Sequence, residues 1–214
     1  MIEHVYRRAL AARSVDGVVV ATDDDRIASA VERCGGIAFL TSPSHPSATD
    51  RLAELAATLT CGIVVNVQGD EPLLDPDVID ATVAALRNDP AVEMATAARP
   101  IRHDELANPH VVKVVTDLSG FALYFSRSTI PFGRDSSAEA LARAHIGLYV
   151  YRRDTLLRLA QLAPTPLERA EALEQLRALE HGIRIKVVAT TYESVGVDTP
   201  EDLERVRNLV KELS

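Results

Sequence analysis

The sequence predicts an α/β fold: a mostly parallel sheet with helices on both faces, carrying an antiparallel extension. Two observations predict it. Up to residue 90, short all-apolar runs alternate with amphipathic helical patterns, the rhythm of parallel strands covered on both faces. Beyond residue 90, strand-like runs follow one another without long helices between them, which suits antiparallel neighbours.

The elements follow in order. MIEHVYRRALAA opens as a helix. VDGVVVA, residues 15–21, is an apolar strand. Thr22 and Asp23, Asp24 and Asp25 supply an N-cap and first-turn carboxylates for a helix carrying Ile27, Ala28, Val31 and Cys34 at helical spacing. Gly35 and Gly36 end it. Residues 37–40 form a second strand, and the polar stretch TSPSHPSATD leads into a helix over 51–59. Residues 62–67 form a third strand. Asp75 caps the next helix, Pro76 takes its first position, and Val78, Ile79, Val83 and Leu86 make its stripe. The extension, about residues 91–152, holds strands at 94–99, 111–116, 121–125 and 145–151, with a polar loop, FGRDSSAEA, expected to be mobile. Helices over 153–162 and 167–181, a strand at 183–189 and a helix to residue 213 complete a single domain spanning 1–214. In the helix over 167–181, Leu167, Ala170, Leu173 and Leu176 make the expected core stripe.

The 214 residues are 47% hydrophobic and 25% charged, with a formal net charge of −8. That balance excludes a nucleic-acid footprint. An anionic substrate would then need local arginines or a metal ion. No apolar run reaches the ~18 residues of a membrane span. The polar opening residues do not read as a signal peptide, so a cytoplasmic protein is expected. Cys34 and Cys61 have no short spacing and read as reduced thiols.

Ligands of such sheets sit beyond the carboxyl ends of the strands. There the run VVNV ends in Gln68-Gly69-Asp70-Glu71-Pro72. Gly69 permits close backbone approach, Pro72 stiffens the exit, and Asp70 suits a hard cation such as Mg²⁺; the alternative is a turn and cap. A second acidic segment, GVDTPED, contains an efficient helix start at Thr199 and Pro200, preceded by Asp198. Ser47, Ala48, Thr49 and Asp50 precede Arg51, a cation in a helix's first turn, against the dipole. Arg127 sits between hydroxyls in SRST. His145, Gly147, Tyr149 and Tyr151 alternate onto one strand face. Glu174 and Gln175 would ordinarily be surface residues of their helix. No G-x-G-x-x-G or Walker motif is present.

VQGDEP, SRSTIP, LEQLR and GVDTPEDLERV, together with SHPSATDRLAE, NPHVVKVV and HIGLYVYRR, resemble the 3-deoxy-manno-octulosonate cytidylyltransferases, in order along essentially the whole chain. The resemblance implies a Rossmann-like nucleotidyltransferase fold. It implies transfer of CMP from CTP to the sugar acid Kdo with release of pyrophosphate, for lipopolysaccharide biosynthesis. It implies Mg²⁺ held by Asp70 and Asp198, which carry the catalysis, and a homodimer formed through the extension. Arg51, Gln68, Arg127, His145, Tyr149, Glu174 and Gln175 then correspond to the sugar-acid pocket, and Ser47 and Ala48 lie beside the base. Glu71 reads as structural. Ala48 stands where the family usually has glycine.

One departure carries an expectation. The family opens with a strand and a basic loop that clasps the triphosphate, and MIEHV resembles the segment after it; roughly thirty residues have no counterpart. A misassigned start or a true truncation accounts for this, and truncation implies a gap in the sheet and weak or no activity. The competing readings are a cytidylyltransferase for sialic acid or 8-amino-Kdo, and a non-catalytic dimeric remnant.

Overall fold

The computed structural model describes residues 1–45, 47–134, 141–193, 196–197 and 199–212. The elements are α1 (Ile2–Leu10), β1 (Val19–Thr22), α2 (Asp25–Arg33), β2 (Ile37–Leu40), α3 (Ala48–Thr58), β3 (Ile63–Val67), α4 (Pro76–Asn88), β4 (Met94–Pro100), β5 (Lys113–Thr116), β6 (Ala122–Ser126), β7 (Arg143–Arg152), α5 (Arg153–Ala160), α6 (Pro166–Glu171), α7 (Gln175–Glu180), β8 (Ile185–Ala189) and α8 (Pro200–Glu212). Most of the polar loop expected to be mobile, residues 135–140, lies outside the described residues.

Local chemistry starts the helices where the sequence places them. The Asp24 side chain accepts from the Arg26 amide, and Asp75 accepts from the Asp77 amide with Pro76 first in its helix. At α8, Thr199 Oγ1 accepts from the Asp202 amide while Asp202 accepts from the Thr199 amide, a reciprocal cap.

β3, β4 and β8 run in one direction. β7 lies antiparallel between β3 and β4, and β8 flanks β4 in parallel. The α/β layering is as expected, but the extension supplies a central strand. Leu148, Val150 and Tyr151 are all buried, and only a central position covers both faces of such a run. β5 and β6 continue from the start of β7 as an antiparallel ribbon. Adjacent residues feed opposite cores. Met94, Tyr149 and Tyr151 pack with Ala53, Leu156 and Leu176, whereas Ala95, Leu148 and Val150 pack with Ile79, Val83 and Leu86.

Among the described residues, β1 and β2 pair only with each other. A cleft of about 660 Å³ separates β1 from β3, lined by Val5 and Ala9 of α1 and Leu52 and Leu55 of α3.

Two irregularities shape the candidate site. The β4–β7 register passes from Thr96 opposite Tyr149 to Ala97 opposite Ile146, so Gly147 and Leu148 bulge out of the ladder. The single helix expected over 167–181 is broken instead, with Ala172 left-handed at φ 52°, ψ 51°. Leu167 and Ala170, expected in the core, are exposed, while Leu173 and Leu176 are buried. The break turns α7 so that Gln175 is buried rather than solvated.

Candidate active site

The carboxyl end of β3, the bulge of β7, the start of α3 and the break before α7 converge on a cleft of about 400 Å³. Six of the expected residues line it: Ala48, Gln68, Arg127, Tyr149, Glu174 and Gln175. Gly147 permits the close approach: a Cβ there would stand 3.4 Å from the Gln68 Cγ.

Glu174 is placed by the amino end of α3. Thr49 Oγ1 donates to it at 2.6 Å, and the Thr49 and Ala48 amides approach at 3.3 and 3.4 Å. Those amides lie in the first turn and have no intrahelical acceptor, so a carboxylate is favoured there. Ser47 caps the same helix, its hydroxyl accepting from the Asp50 amide.

Arg127 is fixed by carbonyls. Its Nε donates to Glu171 O at 2.9 Å and its Nη1 to Pro109 O at 3.1 Å. The Glu171 carboxylate accepts from the Arg127 amide at 2.9 Å and from Ser126 Oγ at 2.6 Å. Burial pushes this carboxyl up, but those hydrogen bonds outweigh burial and leave it below its ordinary value. Beneath lies Lys113, fully buried, whose Nζ donates to the carbonyls of Asn108, Val111 and Arg127. Burial lowers its pKa.

An aromatic row backs the cleft. The His145 ring meets Phe125 edge-on at 5.2 Å and Tyr149 at 5.3 Å, and Tyr149 stacks on Tyr151. Burial drives the His145 pKa down to about 3, so the ring is neutral at ordinary pH. Burial raises both tyrosines, and Asn66 hydrogen bonds the Tyr151 side chain.

Arg51 is not brought to this cleft. Its guanidinium donates to Thr41 Oγ1 at 2.6 Å and Asp23 at 2.8 Å, toward the end of β1. The residue that opposes the helix dipole is therefore matched by an acid from another element.

Asp70 is half-buried just past β3, and its carbonyl accepts from the Val197 amide at 3.0 Å. The two acidic segments therefore meet at their backbones. Asp198 lies outside the described residues. Among the described residues no cluster of three His, Cys, Asp or Glu forms a metal cage. A carboxylate at a strand end, adjoined by a second acidic loop, fits Mg²⁺, which takes one or two protein carboxylates and completes its shell with water and phosphate oxygens. Glu71 is buried beside the same loop.

Sequence reasoning misses Asn66, Glu171 and Lys113. Only Lys113 carries a local signal, a charge inside the apolar run VVKVV.

A family model described as Cytidylyltransferase matches residues 1–185. The 3-deoxy-manno-octulosonate cytidylyltransferase of Geobacter sulfurreducens is 56% identical, over 99% of this chain and 89% of the relative. The Myxococcus xanthus protein of that name is 54% identical, over 99% of this chain and 86% of the relative. A solved CMP:2-keto-3-deoxy-manno-octonic acid synthetase, complexed with CTP, superposes with a TM-score of 0.94 at 43% identity, over 100% of this chain and 88% of that one. A 4-diphosphocytidyl-2C-methyl-D-erythritol synthase from Anaerococcus prevotii, at 14% identity and TM-score 0.65, shares the fold. None of these comparisons supports reduced activity, a non-catalytic remnant or another sugar acid. The chain belongs to the cytidylyltransferase family, among the 3-deoxy-manno-octulosonate cytidylyltransferases.

Proposed function

We propose that this chain transfers CMP from CTP to 3-deoxy-D-manno-octulosonate (Kdo), giving CMP-Kdo and pyrophosphate for lipopolysaccharide biosynthesis in the cytoplasm. The observation that carries this reading is the 400 Å³ cleft in which Arg127, Gln68, Tyr149, Glu174 and Gln175 converge beside Asp70's strand end. Its size suits a small polar molecule. The anomeric oxygen of Kdo bonds to the α-phosphorus as the bond to the bridging β-phosphate oxygen breaks. Pyrophosphate departs with the electron pair, and the hydroxyl proton passes to solvent.

The chain's residues position the reactants and balance their charge. The Arg127 guanidinium, oriented by the carbonyls of Pro109, Glu171 and Ala172, has five N–H donors and keeps the others for the sugar-acid carboxylate. Gln68, Gln175, Glu174, Tyr149 and neutral His145 serve the sugar hydroxyls. Ser47 and Ala48 lie beside the base. Mg²⁺, held by Asp70 and Asp198, would supply charge neutralisation at the triphosphate.

Pyrophosphate release from CTP, Kdo and Mg²⁺ tests the reading. The chain releases it, and Asp70→Asn lowers the rate by about 10²-fold or more, the usual cost of one electrostatic partner of the transition state. No release by the unsubstituted chain, or release indifferent to Asp70→Asn, overturns it.

We also infer a homodimer formed through the extension. Leu118, Leu123, Phe132 and Leu141, all in that region, are large, apolar and exposed. Among the described residues no helix is long and apolar enough to cross a membrane.

A further inference from the structure

His145 has two ring nitrogens, and the chemistry it offers depends on which one carries the proton. Its Nε2 lies 2.9 Å from Thr96 Oγ1. Thr96 is fully buried at the β4 end of the bulge. The same hydroxyl lies 2.7 Å from Leu148 O and 3.3 Å from Ile146 O. A carbonyl oxygen only accepts, and a hydroxyl has one proton to give. If that proton pointed at Nε2, a 2.7 Å contact between two oxygens would be left with no hydrogen between them. The proton therefore belongs to the Leu148 carbonyl, and Nε2 must be the donor to Thr96. A neutral imidazole has one N–H, so Nδ1 is the bare acceptor. Among the described residues Nδ1 has no hydrogen-bond partner, and His145 is partly exposed. Phe125 meets the ring edge-on at 5.2 Å, and Tyr149, which lines the cleft in front of His145, lies tilted against it at 5.3 Å.

We propose that Thr96 is a positioning residue: it locks His145 in the Nε2–H form, so that Nδ1 is left as a fixed acceptor for a donor group of the bound sugar, a hydroxyl. The device depends on the bulge at Gly147 and Leu148. There the β4–β7 register shifts, and the Leu148 carbonyl lies 2.7 Å from the Thr96 hydroxyl. The structural part of this proposal is independent of the reaction. The hydroxyl acceptor role rests on the reading of the cleft given above.

Long-range ¹H–¹⁵N correlation on ¹⁵N-histidine-labelled protein reads the tautomer directly, because protonated and bare ring nitrogens resonate in separate ranges. Comparison with His145→Gln assigns the signals among the six histidines. The unsubstituted chain shows one pure Nε2–H form for His145. Thr96→Val, of similar shape but without the hydroxyl, shifts His145 toward the Nδ1–H form or a mixture, and Thr96→Ser restores the original pattern. A mixture or an Nδ1–H form in the unsubstituted chain overturns the proposal, as does an unchanged spectrum in Thr96→Val. In turnover, Thr96→Val raises KM for Kdo about tenfold, the scale of one lost hydrogen bond to a buried partner, and leaves KM for CTP unaltered. Equal rises in both constants mean a general structural role and defeat the positioning claim. Failure of the unsubstituted chain to turn over counts against the reading of the cleft, while the spectrum still decides the tautomer.

Discussion

Lys113 has no surface exposure, and its ammonium ties the loop before β5 to the chain just past β6 by donating to carbonyls at residues 108, 111 and 127. An ammonium so placed has exchanged its water shell for carbonyl dipoles, and each of those carbonyls depends on it. Lys113→Met keeps the apolar stem and removes the donors. The expected result is a loss of about 3 kcal/mol in urea unfolding, with the midpoint lowered and the slope unchanged, because buried acceptors lose their partner. A loss below about 0.5 kcal/mol would mean that water replaces the ammonium and the segments are not tied together through it. The sequence makes the anomaly legible, since a cation interrupts VVKVV. Its purpose is not legible, because the partners are backbone oxygens, which every residue has. The same limit hides Thr96 and Glu171: a lone threonine in ATAARP and a glutamate in LERAEAL carry no pattern. Asp70, Arg127 and Gln175 are legible because each stands at a strand end or within a distinctive motif.

Helix amphipathicity gives the wrong element over residues 167–181, and the reason is tertiary. LERAEALEQLRALE contains no glycine or proline, so propensity favours one continuous helix. Three contacts break it. Glu171 is drawn to Ser126 and the Arg127 amide, and Glu174 to the start of α3. Across the break, buried Arg177 pairs with buried Glu168 at 2.5 and 2.8 Å, clasping α7 to α6. Ala172 absorbs the turn in a left-handed conformation that costs an L-residue about 1–2 kcal/mol. Ala172→Gly removes that strain and adds about 0.4–1 kcal/mol of unfolded-chain entropy. The net expectation is stabilisation of about 0.5 kcal/mol, measured by chemical denaturation. Ala172→Val, β-branched at positive φ, should lose more than about 1 kcal/mol. Destabilisation by Ala172→Gly of about 1 kcal/mol, the cost in an ordinary helix interior, would show that the helix runs through. Elements governed by local chemistry fare better in sequence: Asp24, Asp75 and Thr199 start their helices as the residue types dictate.

For the whole molecule, periodicity separates a parallel first part from an antiparallel extension, but it cannot say that the extension's longest strand enters the middle of the sheet. That choice is made by burial summed over the fold: β7 pairs with β3, β4 and β5, and its apolar residues are covered on both sides. With β7 inside, β5 and β6 are left as an outlying ribbon. Leu118 and Leu123 are 110% and 62% exposed there, and Phe132 and Leu141 nearby are 86% and 65% exposed. Single exposed apolar side chains are ordinary, but four in one region of a chain with net charge −8 call for a cover. The acidic surface makes a second copy an unfavourable partner except where charge is sparse, and the segment FALYF of the ribbon carries none. A stable pair needs roughly 1,000 Å² or more of buried surface, which a ribbon with its flanking loops can provide. Sedimentation equilibrium at micromolar concentration should therefore return twice the 23.2 kDa chain mass. The double variant Leu123→Asp, Phe132→Asp places charge on that surface and should yield the single-chain mass, with far-ultraviolet circular dichroism unchanged because neither side chain is in the core. A single-chain mass for the unsubstituted protein would overturn the pairing, and a double variant that still pairs would move the interface off the extension; either would leave those four side chains without a cover.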